Sequence, residues 1–395
     1  MKPLLDGVRI LDLSQMLAGP YCTMLLADLG AEVIKIESPG EGDRIRKMGI
    51  YKIGGQSAYF LSINRNKKSV TLNLKSERGR ELFYELVKKS DVVLDNLRPA
   101  TLQKLGASYE EVKKHNPKII SCSITAFGPD GPYADWPAFD LTLQAMSGVM
   151  SYTGEPGRPP VRMGLPMGDL AGALMAAYAI SSALYRREKT GEGSKLDIGL
   201  LDSVVSLHTY VAQYLIAGSP IPEQIGSSHI SVVPYGAFKT SDGWITIAIF
   251  TERFWENFCK VLGVPELAKD PRFVTNNDRS KNRDVLNPMI EEKLKAKTTD
   301  EWVEILGRER IPCGALNTMD KVLQDKQLRH RDMVVEVDIP EGGVTDMLGN
   351  PVKIEDMEQE YRFSPELGEH TEQILTEILG MEKQEIDALR ADEII

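Results

Sequence analysis

The stretch Met163-Gly164-Leu165-Pro166-Met167-Gly168-Asp169-Leu170-Ala171-Gly172-Ala173-Leu174-Met175-Ala176 sets a single carboxylate at the head of an apolar, alanine-rich helical run. Two chemistries fit it. Asp169 in the first turn can cap the helix, accepting from an otherwise unpaired N–H, a contact worth about 1 kcal/mol. The same position suits a carboxylate nucleophile, because a helix N-terminus favours the anion and apolar neighbours keep out competing water. Gly168 leaves room for a bulky ligand to approach the backbone. The two roles are compatible, since a cap at the mouth of a cleft can also attack. Other chemistry-bearing residues are scattered. Cys22, Cys122, Cys259 and Cys313 lie far apart, with no C-x-x-C pair and no histidine at zinc-site spacing, so neither a structural disulfide nor a metal site is expected.

The elements that must position Asp169 alternate in type. Strands are expected over Val8–Leu13, Glu32–Glu37, Ser69–Leu74, Asp91–Leu94 and Ile119–Ile124. Between them, Gly19–Leu29 reads as a helix closed by Gly30, and Ser76–Lys89 as an amphipathic helix with Ser76 as its N-cap. Strands separated by helix-length segments imply an α/β fold with a parallel sheet, which binds ligands beyond the carboxyl ends of its strands. The dinucleotide fingerprint G-x-G-x-x-G is missing after the first strand, where the chain reads Ser14-Gln15-Met16-Leu17-Ala18-Gly19-Pro20. A nicotinamide-dependent dehydrogenase is therefore disfavoured.

The pattern breaks after Leu200. Gly218-Ser219-Pro220-Ile221-Pro222 reads as a linker, and Tyr235–Lys239 and Trp244–Ile249 flank Ser241-Asp242-Gly243 as a hairpin. Helices are expected around Thr251–Leu262, Asp284–Ala296 and Thr299–Arg308, which makes a second, smaller α+β domain. The division expected is a large domain over 1–205 completed by 340–395, a linker over 206–224, a small domain over 225–327 and a return linker over 328–339. A helix over Leu367–Leu379, closed by Gly380, packs back on the large domain in this reading.

The 395 residues carry 47 basic and 57 acidic side chains, a net charge of −10. That balance argues against a general nucleic-acid binder, though not against a local basic patch for a small polyanion. The N-terminal residues lack the apolar core of a signal peptide, and the longest nearly apolar run, Leu170–Leu184, is short for a bilayer. A cytoplasmic protein with no membrane partner is the expectation.

A series of ordered motifs resembles the class III CoA-transferases, the family of formyl-CoA, carnitine and succinyl-CoA transferases. It opens with Leu5-Asp6-Gly7-Val8-Arg9-Ile10-Leu11-Asp12-Leu13, Ala18-Gly19-Pro20 and Leu26–Glu37. Gly42-Asp43 with Arg46, Asn64–Ser69 and Asp95-Asn96-Leu97-Arg98-Pro99 follow. Ser123–Gly128, Gly131-Pro132, Asp140, Gln144–Gly148 and Gly168-Asp169 complete it. Each is weak alone, but order and spacing together are specific.

The resemblance implies a Rossmann-like large domain plus a small α+β domain in an interlocked, ring-like homodimer. It implies a catalytic Asp169 that exchanges CoA between an acyl-CoA donor and a small carboxylic acid through anhydride and aspartyl-CoA thioester intermediates. No permanently bound cofactor is implied, since CoA and acyl-CoA are substrates. CoA contacts carried over are Ala18, Leu72, Asn73, Leu74, Lys75, Asn96, Leu97, Arg98 and Lys104, with Gln15, Phe139, Asp140 and His229 around the substrate. On residue type alone, Lys67, Lys68 and Lys75 are equally readable as solvated charges. Ser38 and Pro137 stand where some relatives carry cationic CoA contacts, a gap that Arg44, Arg46 or another side chain can fill.

Two other readings follow from the same motifs. Racemases of α-methylacyl-CoA carry a Gly-His-Asp triplet as part of an acid/base pair. Here the triplet is Ala138-Phe139-Asp140, and phenylalanine transfers no proton. A non-catalytic CoA-ester binder would keep the contact motifs but form no adduct on Asp169. The segment Ser227–Pro234, bulkier than the glycine run of oxalate-using relatives, points to a dicarboxylate or other small acid with a succinyl-CoA-like donor. His229 within it reads either as a substrate contact or as a locally bonded loop residue.

Overall fold

Short buried strands joined by helices form the first of two units in the computed structural model, which describes residues 2–340, 342–355 and 357–395. That unit comprises Met1–Ser147, Met163–Tyr210 and Lys326–Ile395, and the second comprises Gly148–Arg162 and Val211–Asp325. In the first unit six strands make one sheet: β1 (Arg9–Asp12), β2 (Glu32–Glu37), β3 (Lys67–Thr71), β4 (Val92–Asp95), β5 (Ile120–Thr125) and β6 (Ser194–Gly199). Their order is β3-β2-β1-β4-β5-β6 and every neighbouring pair is parallel. This is the doubly wound arrangement, whose order reverses between β1 and β4 and opens a crevice beyond their carboxyl ends.

The helices that connect these strands are α1 (Ala18–Asp28), α2 (Ala58–Asn64), α3 (Glu77–Lys88), α4 (Pro99–Lys104), α5 (Tyr109–His115), α6 (Asp140–Met146) and α7 (Met167–Thr190). Ser76 caps α3 as its type predicts, its Oγ accepting from the Gly79 N–H at 2.9 Å. One core lies between the sheet, α3 and the helices Thr371–Leu379 and Lys383–Ala391, and includes Leu11, Ile34, Val70, Phe83, Ile374 and Ile386. A second core joins α1 and α7 to the sheet through Ile10, Cys22, Leu94, Ile124, Ala173 and Ile180.

Helix α7 has 24 residues, and by length and composition it meets the requirement for a membrane span, which the reading of Leu170–Leu184 as short had not allowed for. Its Ala171, Ala173, Ala176, Ile180 and Ala183 are nonetheless buried in the unit, as a core helix requires.

Several boundaries differ from the sequence reading. The third strand lies at Lys67–Thr71, so Leu72–Leu74 run on past its end. It was placed too late because two lysines open it, and one of them is buried against a partner far away in sequence. Strand β6, the antiparallel ribbon Val334–Asp338 with Val344–Leu348, and the helix Lys383–Ala391 were not anticipated. The tail helix begins at Thr371, and Gly380 closes it with φ of 68°.

The second unit has the expected hairpin, β7 (Tyr235–Lys239) with β8 (Trp244–Ala248), extended by β9 (Cys313–Ala315) on the far side of β8. All pairs are antiparallel. Its core packs Phe238, Ile245 and Ile247 against Trp255, Phe258, Leu286, Ile290 and Trp302 from three helices.

Candidate active site

A parallel sheet dictates where Asp169 comes to lie. Helix α7 leads into β6 and so runs antiparallel to it, which sets its N-terminus at the carboxyl ends of the strands. Asp169 is the third residue of the helix. Pro166 occupies the N-cap position and supplies no side-chain cap, and the turn's Gly168 N–H donates to Asp140 rather than to Asp169, so the expectation that Asp169 serves as the cap does not hold. Its carboxylate is half-buried. Burial first, and then the charge of Asp140, raise its pKa to about 6. The group therefore keeps more proton affinity than a free aspartate, in spite of the helix terminus behind it.

Asp140 begins α6 and meets the same turn. Its Oδ1 accepts from the Gly168 N–H at 2.7 Å and its Oδ2 accepts from Gln144 Nε2 at 2.7 Å. Gln144 is fully buried, and its Oε1 accepts from the Met163 N–H at 2.8 Å while its amide also reaches the Leu165 carbonyl at 3.3 Å. A Cβ on Gly168 would stand 3.1 Å from Asp140 Oδ1, so a larger residue there would press on that carboxylate by a few tenths of an ångström. Phe139, just before α6, is 79% exposed.

The loop after β1 reaches the crevice from the other side. Asn96 at the end of β4 and Gln15 lock together: the Gln15 N–H donates to Asn96 Oδ1 at 2.9 Å, and Asn96 Nδ2 donates to the Gln15 carbonyl at 2.6 Å. Two candidates that are 81 residues apart thus meet at the point where the strand order reverses. Met16 takes a left-handed conformation, φ 67°, and its N–H donates to Asp43 Oδ1 at 3.2 Å. Gly19 permits the turn: a Cβ there would lie 2.2 Å from the Ser14 Cβ.

Beneath this loop runs a line of buried charges. Lys67 Nζ meets Asp12 Oδ2 at 3.1 Å and Lys35 Nζ meets Asp43 Oδ2 at 2.9 Å, all four side chains being inaccessible to solvent. Thr23 and Ser14 hydroxyls donate to Asp12, and Lys35 and Lys67 donate to the Ser14 and Pro20 carbonyls. Burial opposes the Asp12 charge, but Lys67 and Lys35 together with these hydroxyls overcome it and hold its pKa down to about 2. Lys67 is therefore neither a solvated charge nor a ligand contact, and Lys68 pairs with Glu32 at 2.7 Å. Of the two cations near Ser38, Arg46 has its guanidinium held by Glu37 through two bonds, at 2.8 and 2.7 Å, while Arg44 is exposed.

The remaining candidates divide between the two units. Ala18 opens α1 and is buried. Leu72 and Leu74 turn their side chains into the core, and Asn73 is tied to the C-terminus, its N–H donating to the Ile394 carbonyl at 2.8 Å. Lys75 and Arg98 are exposed, the Leu97 N–H donates to Asp95 Oδ1 at 3.1 Å, and Lys104 lines a shallow cavity with Arg80, Tyr84 and Gln103. His229 belongs to the second unit, where its Nδ1 accepts from the Ser231 N–H at 3.1 Å and its ring lies 5.2 Å from that of Tyr235.

Sequence reasoning missed Tyr59 on α2. Its phenol pKa is raised by burial first and then by the Asp169 and Asp43 carboxylates, which puts it within electrostatic reach of the candidate nucleophile. No local pattern signals such a residue, since it lies 110 positions before Asp169 in the sequence and in a different element.

Comparison with known proteins bears on the chain as a whole. The family model described as CoA-transferase family III matches residues 5–371. Succinyl-CoA:glutarate CoA-transferase of Mus musculus is 40% identical over 396 residues, which cover 100% of this chain and 91% of that protein. Acetyl-CoA:oxalate CoA-transferase of Acetobacter aceti is 40% identical over 350 residues, 88% of each chain. Among solved structures, a CAIB/BAIF family protein from Brucella suis superposes with a TM-score of 0.86 at 37% identity, covering 96% of this chain and 100% of that one. A match along almost the whole length leaves one assignment: the chain belongs to CoA-transferase family III.

Proposed function

We propose that this CoA-transferase works through covalent catalysis on Asp169, and the observation that carries the reading is a half-buried carboxylate at the head of a core helix, beyond the strand ends of a doubly wound sheet. A carboxylate oxygen of Asp169 attacks the thioester carbonyl of an acyl-CoA, the C–S bond breaks, and CoA leaves as a thiolate. The thiolate then attacks the Asp169 acyl carbon of the mixed anhydride, and the donor acid departs as its carboxylate. An acceptor carboxylate attacks the aspartyl-CoA thioester, again expelling thiolate, which attacks the acceptor's own acyl carbon and restores Asp169. No step consumes or releases a proton overall, and thioester energy is conserved throughout. Splitting one exchange into four displacements lowers each barrier, and a carboxylate suits the role because its anhydride reopens readily.

The raised proton affinity of Asp169 has a kinetic consequence. The nucleophile must be ionised, so kcat/KM for the donor is expected to be flat above pH 7 and to fall tenfold per unit below about 6. A pH–rate profile with an acid limb near 4 would disagree with the burial of this group.

CoA is proposed to bind along the carboxyl ends of β3, β1 and β4. The backbone of Leu72–Leu74, Asn73, Lys75, Ala18, Asn96 and Leu97 would contact it, with exposed Arg98 and Lys104 meeting phosphates. Gln15, Phe139 and His229 are proposed to contact the substrate acid. The donor and acceptor proposed are a succinyl-CoA-like ester and a small dicarboxylate, in line with the mouse relative and with the 38%-identical succinyl-CoA:mesaconate CoA-transferase of Haloarcula marismortui. A coupled screen of succinyl-CoA, acetyl-CoA and formyl-CoA against glutarate, mesaconate and oxalate tests it; a preference for acetyl-CoA with oxalate would contradict the proposal.

The protein is further proposed to be a cytoplasmic homodimer of interlocked rings, each formed by a large and a small domain. Support comes from the outer face of α7, where Leu174, Tyr178 and Tyr185 are 53%, 72% and 68% exposed, an apolar row for which a second copy is a fitting cover.

A further inference from the structure

The network around Gly168 carries an inference that rests on the Asp169 reading and deepens it. Both oxygens of Asp140 are committed to protein donors, the Gly168 N–H and the Gln144 amide. Gln144, fully buried, in turn binds the Met163 N–H and the Leu165 carbonyl. Two side chains one helical turn apart on α6 thereby grip both ends of the segment that leads into α7. The residue immediately after the gripped amide is Asp169. We infer that Asp140 is a positioning residue, which together with Gln144 fixes the first turn of α7 so that the Asp169 carboxylate is presented to the thioester carbonyl.

The Gly168 N–H is one of the donors at a helix start that have no partner within the helix, and an ionised acceptor makes a stronger bond to it than a neutral one. The grip is rigid because Gln144 has no solvent to exchange with, and a fully satisfied buried amide holds one arrangement. The Asp140 charge on α6 also acts on Asp169, adding to the effect of burial in raising its proton affinity, and the Asp169 charge acts in turn on the Tyr59 phenol of α2. A carboxylate kept beside another anion gains nucleophilicity, because its lone pairs are less stabilised.

The test compares Asp140→Ala, Asp140→Asn and Asp169→Ala with the unmodified protein, using succinyl-CoA and glutarate or the best pair from the screen. For Asp140→Ala the first turn loses its anchor, and kcat is expected to fall about 10²-fold with both KM values within about threefold of wild type. Asp140→Asn retains an oxygen that can accept from Gly168 but turns its NH2 toward the Gln144 donor, so kcat should recover only in part, to within about tenfold of wild type. That rescue separates a geometric role from acid/base participation, which an amide cannot supply. Should Asp140→Ala fail to fold in a thermal melt, the Asn variant decides alone. Unchanged kcat in the Ala variant would overturn the inference, and so would a KM rise of about tenfold for one substrate at constant kcat in either variant. Full activity of Asp169→Ala would instead remove the nucleophile reading, whatever Asp140 does.

Discussion

Replacing Asp169 by alanine is expected to lower CoA transfer by about 10⁴-fold or more, because the reaction proposed has no route that bypasses the anhydride. Asp169→Asn should be as inactive and also more stable than wild type. In the folded protein burial raises the carboxyl pKa to about 6, above its value of 3.8 in the unfolded chain. Between those values the fold binds more protons than the unfolded chain, so ionising Asp169 erodes stability as pH rises through the window. The erosion is complete above pH 6 and absent well below 3.8. The asparagine variant escapes it, and its advantage at pH 8 is about 1–2 kcal/mol after discounting for partial solvent screening. Thermal melts at pH 8 and pH 4 measure the difference, which should shrink at the lower pH. An asparagine variant that is both inactive and less stable at pH 8 would signal a structural role for Asp169.

The second large effect is on folding. Asp12→Ala strands the Lys67 ammonium, and with it one of the two cations behind the Gln15 loop, in a site without solvent. Removing one partner of a buried pair costs about 3–5 kcal/mol, since the remaining charge keeps its desolvation penalty and loses its compensation. Chemical denaturation at pH 7 reads this as a lower midpoint with an unchanged slope. The pH dependence has the opposite sense to that of Asp169. The Asp12 pKa is depressed to about 2, so its contribution is fully present above 3.8 and is lost as pH falls toward 2. The gap between wild type and Asp12→Ala should therefore narrow in acid.

How much of this was legible beforehand follows from which contacts are local. Alternating strands and helices, the Ser76 cap and the small-domain hairpin are written within a few residues each, and the structure has them. Strand β3 was set two residues late because a lysine at its start looks solvated, and only Asp12, 55 positions away, makes it a core residue. The Asp169 position was legible as the first turn of a helix, but Pro166 takes the cap. Strand β6 alternates exposed and half-buried residues at the sheet edge, a pattern too weak to stand out between a long helix and a turn. The Asp140–Gly168 and Gln15–Asn96 bonds join segments 28 and 81 residues apart, and no local spacing encodes them. Tyr59 is the same kind of case.

The most direct measurement is a covalent one. The protein is incubated with isotopically labelled succinyl-CoA, without acceptor acid, and the digested peptide containing Asp169 is analysed by mass spectrometry before and after treatment with hydroxylamine. The account predicts a CoA thioester on Asp169 that hydroxylamine converts to the hydroxamate, and none on Asp140. An unmodified Asp169 peptide from enzyme that still catalyses transfer would contradict it.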